Sequence, residues 1–267
     1  MENFVLITGA STGIGKELAK IFAKNQYNLL LIARSKDKLE NIKKELESQY
    51  NIKTEIFPID LSQQNAAKEI YQYVKKKNFS IQILINNAGF ATNGFFFNNP
   101  LKEEINEIQV NIISLMELTY LIGNEMLKNA KNKPKYFYKI LNVSSTAAFQ
   151  PGPYMSSYYA SKSFVLNFSE GLYEELKPHI ILVSVLCPGA TKTDFFKRAN
   201  MENSKLVQSP FIMNAESVAH YAYKKLMQNK VIIIPGIFNK IGVFAVRLFP
   251  RNMIRKITQF LNRSNTT

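Results

Sequence analysis

The stretch "NFVLITGASTGIG", residues 3–15, runs four apolar residues and a threonine, Phe4 to Thr8, straight into a turn carrying Gly9, Gly13 and Gly15. A strand without polar alternation reads as buried on both faces, which points to a parallel sheet covered by helices on either side. The glycines allow backbone angles and close approaches that a β-carbon forbids. The helix opening at Ile14 offers free amide groups to negative charge. Gly9, Ser11, Thr12, Gly13, Ile14 and Gly15 are therefore candidates to cradle a dinucleotide pyrophosphate. A Walker A loop is excluded, because Gly15 is followed by Lys16 and Glu17 rather than by Lys and Ser or Thr.

Outward from that turn, apolar strands are expected at 4–8, 29–33, 54–59, 81–85, 140–143, 181–186 and 231–234. Helical stretches lie between them, among them 14–24, 36–50 and 156–177. This alternation predicts α/β architecture: one Rossmann-like domain with a doubly wound, mostly parallel seven-stranded sheet and helices on both faces. A ligand belongs at the strands' C-terminal ends, and polar motifs follow the first, fourth, fifth and sixth strands. We expect a catalytic domain over 1–236, with 194–214 as a substrate cover, and a basic, apolar extension over 237–267. That extension packs on the domain, on an oligomer partner or on a membrane surface.

Composition narrows the class. In 267 residues, 46% are apolar and 12% aromatic, which argues against extensive disorder, and the length suits one domain. Cys187 is the only cysteine and His179 and His220 the only histidines, so neither a disulfide framework nor a cysteine or histidine zinc centre is expected. No run reaches the roughly 18 apolar residues of a membrane span. The start is read as having no secretory leader, so the expected location is cytoplasmic, with membrane association as an option. Net charge is +14, and the nine Lys and Arg residues after Glu216 face no Asp or Glu. Such basicity attracts acidic lipid or nucleic acid without supplying a sequence-reading module, so no sequence-specific nucleic acid is expected.

Arg34 follows the second strand, where an acidic residue would hold a free ribose hydroxyl and a basic one favours a ribose phosphate. NADP(H) is thus favoured over NAD(H), with Ser11 and Ser35 beside the phosphate. Asp60 and Leu61, after the third strand, frame the adenine, or Asp60 caps a turn. In "YMSSYYASKSF", residues 154–164, either Tyr158 or Tyr159 can approach Lys162, since helical residues four and three apart lie about 40° and about 60° apart around the axis.

"TGASTGIG" at 8–15, "NNAG" at 86–89, Asn111, Ser145, Tyr158 with Lys162, and "PGATKT" at 188–193 together resemble the short-chain dehydrogenase/reductase family. The resemblance implies that Tyr158 is the acid/base residue, with Tyr159 as pocket wall. Ser145 rather than Ser144 would hold the substrate oxygen. Lys162 would hold nicotinamide-ribose hydroxyls, and Asn111 would position Lys162 through water. On the cofactor it implies a loop shaped by Asn86 and Asn87 with close approach at Ala88 and Gly89, a turn at Pro188 and Gly189, and contacts from Ala190, Thr191 and Thr193. A nearby lysine ammonium and an oxidised nicotinamide are expected to lower the phenol's pKa. Cys187 reads as core. No Ser-His-Asp set or nucleophile elbow is present.

The expected activity is hydride transfer between NADPH and a ketone or secondary alcohol. A hydrophobic small molecule such as a 3-oxoacyl or steroid-like compound fits Phe195, Phe196, Leu206, Val207, Pro210, Phe211, Ile212 and Met213 as an apolar wall, although these could equally pack on core or partner. The competing reading is a nucleotide-binding regulatory or structural protein with little turnover. A homodimer or homotetramer is expected. Met253, Ile254, Ile257, Phe260 and Leu261 form a stripe on a final helix, read first as a packing face and second as a membrane contact.

Overall fold

The computed structural model of the protein describes residues 2–130, 133–179, 181–199, 201 and 212–263. The chain runs β1 (Asn3–Thr8), α1 (Gly13–Lys24), β2 (Asn28–Ala33), α2 (Lys36–Gln49), β3 (Thr54–Pro58), α3 (Ala66–Lys76), β4 (Ser80–Asn86), α4 (Leu101–Ile108), α5 (Leu115–Asn129), β5 (Lys139–Val143), α6 (Ser156–Leu176) and β6 (Leu182–Leu186). It continues through β7 (Thr191–Lys192), α7 (Phe195–Arg198), β8 (Met213–Asn214), α8 (Ala215–Met227), β9 (Ile232–Ile233), α9 (Ile237–Val246) and α10 (Arg251–Asn262). Seven strands form one sheet in the order β3-β2-β1-β4-β5-β6-β9, and every neighbouring pair is parallel.

The uninterrupted apolar strands follow from that topology. Along β1, Val5 and Ile7 face a core shared with α1, α2 and α8, whereas Phe4 and Leu6 face the opposite core shared with α3 and α5. Chain order reverses between β1 and β4, which places the crevice at the carboxyl ends of those two strands. Pro58 is tolerated because β3 is an edge strand and the proline closes it.

Two details depart from the expected elements. The seventh sheet strand is only Ile232–Ile233, and a separate parallel pair joins β7 to β8. That pair clamps the two ends of the expected substrate cover. Leu206, Val207, Pro210 and Phe211 lie outside the described residues. The stripe expected on α10 divides: Ile254 is buried with Thr258 and Asn262, while Met253, Ile257 and Phe260 face outward. Residues four apart align on one side of a helix, so Ile254, Thr258 and Asn262 form the inward side.

Candidate active site

The glycine turn is held against the loop after β4. Thr8 Oγ1 donates to Ile85 O at 3.4 Å and accepts from the backbone amides of Asn87 and Ala88, both at 3.0 Å. Asn87 Nδ2 donates to Thr8 O at 3.0 Å and to Gly9 O at 3.2 Å. Gly9 sits at φ +64°, and a β-carbon there would lie 2.9 Å from Ala88 Cα. One on Gly15 would meet Gly9 O and Asn87 Nδ2, each at 2.4 Å. Gly15 therefore serves loop packing and does not line the cleft, whereas Gly9, Ser11, Thr12, Gly13 and Ile14 do.

The cleft encloses about 760 Å³ and continues past Arg34, Ser35, Lys38, Asp60 and Leu61. Arg34 Nη1 lies 3.7 Å from Asp60 Oδ2, and Asp60 Oδ1 accepts from the backbone amide and hydroxyl of Ser62 at 3.0 and 2.9 Å. Asp60 thus caps its turn and also borders the cleft. A third cation joins this corner from far along the chain: the Arg198 guanidinium lies 3.9 Å over the Phe90 ring. Burial and the neighbouring Arg34 charge both hold Arg198 below its ordinary pKa. Nothing in "DFFKRAN" marks Arg198, because only the return of α7 across the cleft puts it there.

At the other end the two serines separate. Ser144 Oγ donates to Lys162 O at 2.7 Å and is buried. Ser145 Oγ accepts from the Ala147 amide at 3.1 Å, donates to Pro188 O at 3.4 Å and lines the cleft. The two tyrosines separate as well. Tyr159 OH donates to Asn262 Oδ1 at 3.1 Å, and its ring packs on Gly152. Tyr158 lies beside Ser145 on the cleft wall. Lys162 Nζ donates to Val143 O at 3.0 Å and stands 5.6 Å from the centre of the Tyr158 ring.

The protein groups alone do not lower the Tyr158 pKa. Burial pushes it well above its ordinary value, Ser145 opposes the rise, and Tyr159 and Glu107 add to it. Lys162 is itself pushed down to about 8 by burial, with Glu107 opposing the fall. Asn111 lies on a π-helical turn, Gln109–Ser114. Its side chain is fully engaged: Nδ2 donates to Phe90 O at 2.9 Å and to Ser161 Oγ at 3.0 Å, and Oδ1 accepts from Phe90 N at 3.1 Å. A β-carbon on Gly89 would lie 3.0 Å from Asn111 Oδ1 and 3.2 Å from Lys162 Nζ, so Asn111 and Lys162 converge on that glycine.

Beneath α6, Asn86 Nδ2 donates to Thr119 Oγ1 and Asn142 Oδ1, both at 2.9 Å, and Asn142 Nδ2 donates to Ser169 Oγ at 3.0 Å. This polar ladder ties β4 and β5 to α5 and α6. A buried acid pair was not anticipated. Thr92 Oγ1 lies 2.8 Å from Glu104 Oε1 and 3.0 Å from Glu107 Oε2. One hydroxyl proton serves only one of those oxygens, so the second contact requires a carboxyl proton. Burial pushes Glu107 up to about 7, with the nearby Glu104 charge adding to the rise and Thr92 and Lys162 opposing it. The sequence carries no usable signal here, since α4 exposes Leu101 and Ile105 and buries Glu104 and Glu107.

After β6, Pro188, Gly189, Ala190, Thr191 and Thr193 border the cleft. A β-carbon on Gly13 would lie 2.9 Å from Thr193 Cγ2, which sets Thr193 opposite the glycine turn. Phe195 and Phe196 join Ala91, Met155 and Tyr159 in an apolar wall beside Tyr158. Cys187 is buried, and burial pushes its thiol up to about 12, away from nucleophilic use. Among the described residues no group of three or more His, Cys, Asp or Glu side chains is placed to hold a metal ion.

The profile of the short chain dehydrogenase family matches residues 3–204. The chain is 37% identical over 206 residues to human (Homo sapiens) 17-beta-hydroxysteroid dehydrogenase type 3, covering 75% of this chain and 63% of that protein. It is 34% identical over 200 residues to the very-long-chain 3-oxoacyl-CoA reductase of Anas platyrhynchos, covering 73% of this chain and 61% of that protein. The chain therefore spans less than two thirds of the length of either relative. Among solved structures, a short-chain dehydrogenase from Sphingobium yanoikuyae in complex with NADPH superposes with a TM-score of 0.81 at 28% identity, covering 93% of this chain and 94% of that one.

Proposed function

The chain belongs to the short-chain dehydrogenase family, and from that premise we propose that it reduces the carbonyl group of a hydrophobic ketone to a secondary alcohol, with NADPH as hydride donor. The observation that carries this reading is the convergence of Tyr158, Ser145 and Lys162 on a cleft that also opens onto a glycine turn with no room for β-carbons. The residues fit a dinucleotide: Gly9, Ser11, Thr12, Gly13 and Ile14 hold the diphosphate, with Thr193 opposite. Asn87, Ala88 and Gly89 shape the adjoining wall, and Asp60 and Leu61 flank the adenine. Pro188, Gly189 and Thr191 border the nicotinamide side. Three cleft-lining cations, Arg34, Lys38 and Arg198, with Asp60 beside Arg34, favour a ribose phosphate over a free ribose.

Bound there, the dinucleotide supplies hydride to the carbonyl carbon. Tyr158 donates its phenolic proton to the carbonyl oxygen as negative charge develops on it, and recovers that proton in alcohol oxidation. A phenol held high by burial keeps its proton until that oxygen becomes basic, which suits the reducing direction. Ser145 donates a hydrogen bond to the same oxygen. Lys162, fixed by Val143 O, binds ribose hydroxyls, and the π-turn backbone at Asn111 positions Lys162 through water. The wall of Ala91, Met155, Phe195 and Phe196 supports an apolar substrate of the 3-oxoacyl or steroid-like class. The relatives' printed activities agree with that class. Self-association to a dimer or tetramer belongs to the same reading, supported by the exposed Met116 and Tyr120 of α5.

The test follows cofactor absorbance with a panel of steroid ketones and 3-oxoacyl thioesters, using NADPH and NADH. We expect NADPH-dependent turnover that falls by about 10²–10⁴ in Tyr158→Phe with cofactor binding retained. Tyr159→Phe should keep most of its rate. Cofactor binding without turnover across the panel would instead favour the regulatory reading, and a preference for NADH would overturn the phosphate assignment to Arg34.

A further inference from the structure

We propose that α9, α10 and the turn between them form a docking surface for an acidic lipid bilayer, on which the protein lies without spanning it. No helix among the described residues is long and apolar enough to cross a membrane. With about 100° between successive residues of a helix, Ile237, Ile241, Phe244 and Leu248 fall within one narrow arc. That arc points outward: Ile241 is 57% exposed, Phe244 61% and Leu248 67%, while Val243 on the opposite side is buried. Phe249 is exposed in the turn that follows, and Met253 and Ile257 are exposed apolar positions of α10. Large apolar side chains gathered on one arc of a helix at this exposure exceed what scattered surface residues explain and mark an interaction face.

Charge identifies what the face meets. Lys240, Arg247, Arg251, Arg255, Lys256 and Arg263 are carried on these helices and their ends, and the chain has no Asp or Glu after Glu216. Among the described residues none of the six is within 4.0 Å of an acidic oxygen. On the helical wheel Lys240 and Arg247 border one edge of the α9 arc, and Lys256 borders the outward arc of α10. This is the arrangement of an interfacial helix, in which the apolar face enters the acyl boundary while flanking cations meet headgroups. A second copy is the weaker occupant, because a two-fold contact across this face would set Lys240, Arg247 and Lys256 against the same cations of the copy, with no acid carried on either helix.

The pair is also firmly oriented. Asn262 Nδ2 donates to Pro153 O at 3.0 Å, Asn262 Oδ1 accepts from Tyr159 OH at 3.1 Å, and Asn93 Nδ2 donates to Asn262 O at 3.3 Å. Asn239 Nδ2 donates to Pro235 O at 2.7 Å, and the Asn239 side chain occupies the space beside Gly189. The outward faces are therefore presented by anchored helices, not by a loose tail. Because Tyr159 and Gly189 line the cleft, the surface borders the apolar end of the site.

The experiment is vesicle flotation of the full chain, with phosphatidylcholine alone and with about 30% phosphatidylserine added, at about 0.05 M and about 0.5 M salt. We expect at least about tenfold stronger partitioning to the acidic vesicles at low salt. Arg247→Glu with Lys256→Glu should abolish the salt-sensitive part. Phe244→Ser with Leu248→Ser should remove the salt-resistant part. Both variants should keep the wild-type melting temperature and the wild-type mass in analytical ultracentrifugation, since the altered side chains are exposed. Three results would overturn the proposal: no flotation of the wild type, equal binding to neutral and acidic vesicles, or a lower oligomeric mass in the Phe244→Ser, Leu248→Ser variant, which would make the face a subunit contact. The readout does not depend on turnover, so it fails or succeeds separately from the reductase reading.

Discussion

The turn after β1 lines the cleft and the helical pair α9 and α10 backs two of its lining residues, Tyr159 and Gly189, yet the two are built by opposite means. The turn works by omission: Gly9, Gly13 and Gly15 leave out side chains so that three segments of backbone meet, with Thr8 and Asn87 bonding the remaining polar groups. The helical pair works by addition, held inward by a few polar side chains while its large apolar residues stay outside. A site built of close backbone contacts tolerates almost no new atom. A face built of exposed side chains tolerates nearly any, and its changes appear in what the protein touches rather than in its stability.

The largest break in that contrast is expected at Gly15→Val. Its first added carbon would sit 2.4 Å from Gly9 O, so backbone must move, at a cost of about 3 kcal/mol or more and with loss of NADPH binding measurable by fluorescence titration. Smaller and pH-dependent is Glu107→Gln. Because the fold raises the Glu107 pKa from 4.5 to about 7, the folded state binds the proton more tightly than the unfolded chain. Its contribution is therefore fully present below about pH 4.5, is lost as pH rises through about 7, and amounts to about 3 kcal/mol across that window. Urea unfolding at pH 5 and pH 8 should show this decline in the wild type and a flatter profile in the variant. An unchanged profile would mean that the acid pair does not hold the proton.

Within α10 itself, Asn262→Ala and Ile257→Ser sharpen the contrast further. Asn262→Ala strands the Tyr159 hydroxyl and Pro153 carbonyl and should cost about 1–3 kcal/mol in urea unfolding. Ile257→Ser changes a residue that is 47% exposed and should stay within about 0.5 kcal/mol. Equal losses from the two would mean that the helix buries its apolar stripe in solution.

Legibility followed the range of the interactions. β1 and the glycine turn are readable because a buried strand, a tight turn and a helix start are all decided within a dozen residues. The Tyr158-Lys162 spacing is local too, but spacing alone left Tyr159 in contention. Only contacts across more than a hundred residues, from Asn262 to Tyr159, separate the two phenols. Arg198 was invisible for the same reason, since its neighbours Phe90 and Arg34 come from distant strands. The acid pair was hidden by a helix whose apolar residues face outward, which inverts the usual signal.

By itself, then, the sequence determined the α/β layering, the parallel sheet and the place of the glycine turn, because these rest on backbone conformation and hydrophobic period. Tertiary structure alone decided which hydroxyls face the cleft, where two buried acids meet and which side of α10 meets the outside. Those outcomes depend on side chains brought together from far apart in the chain, and local spacing does not encode such distances.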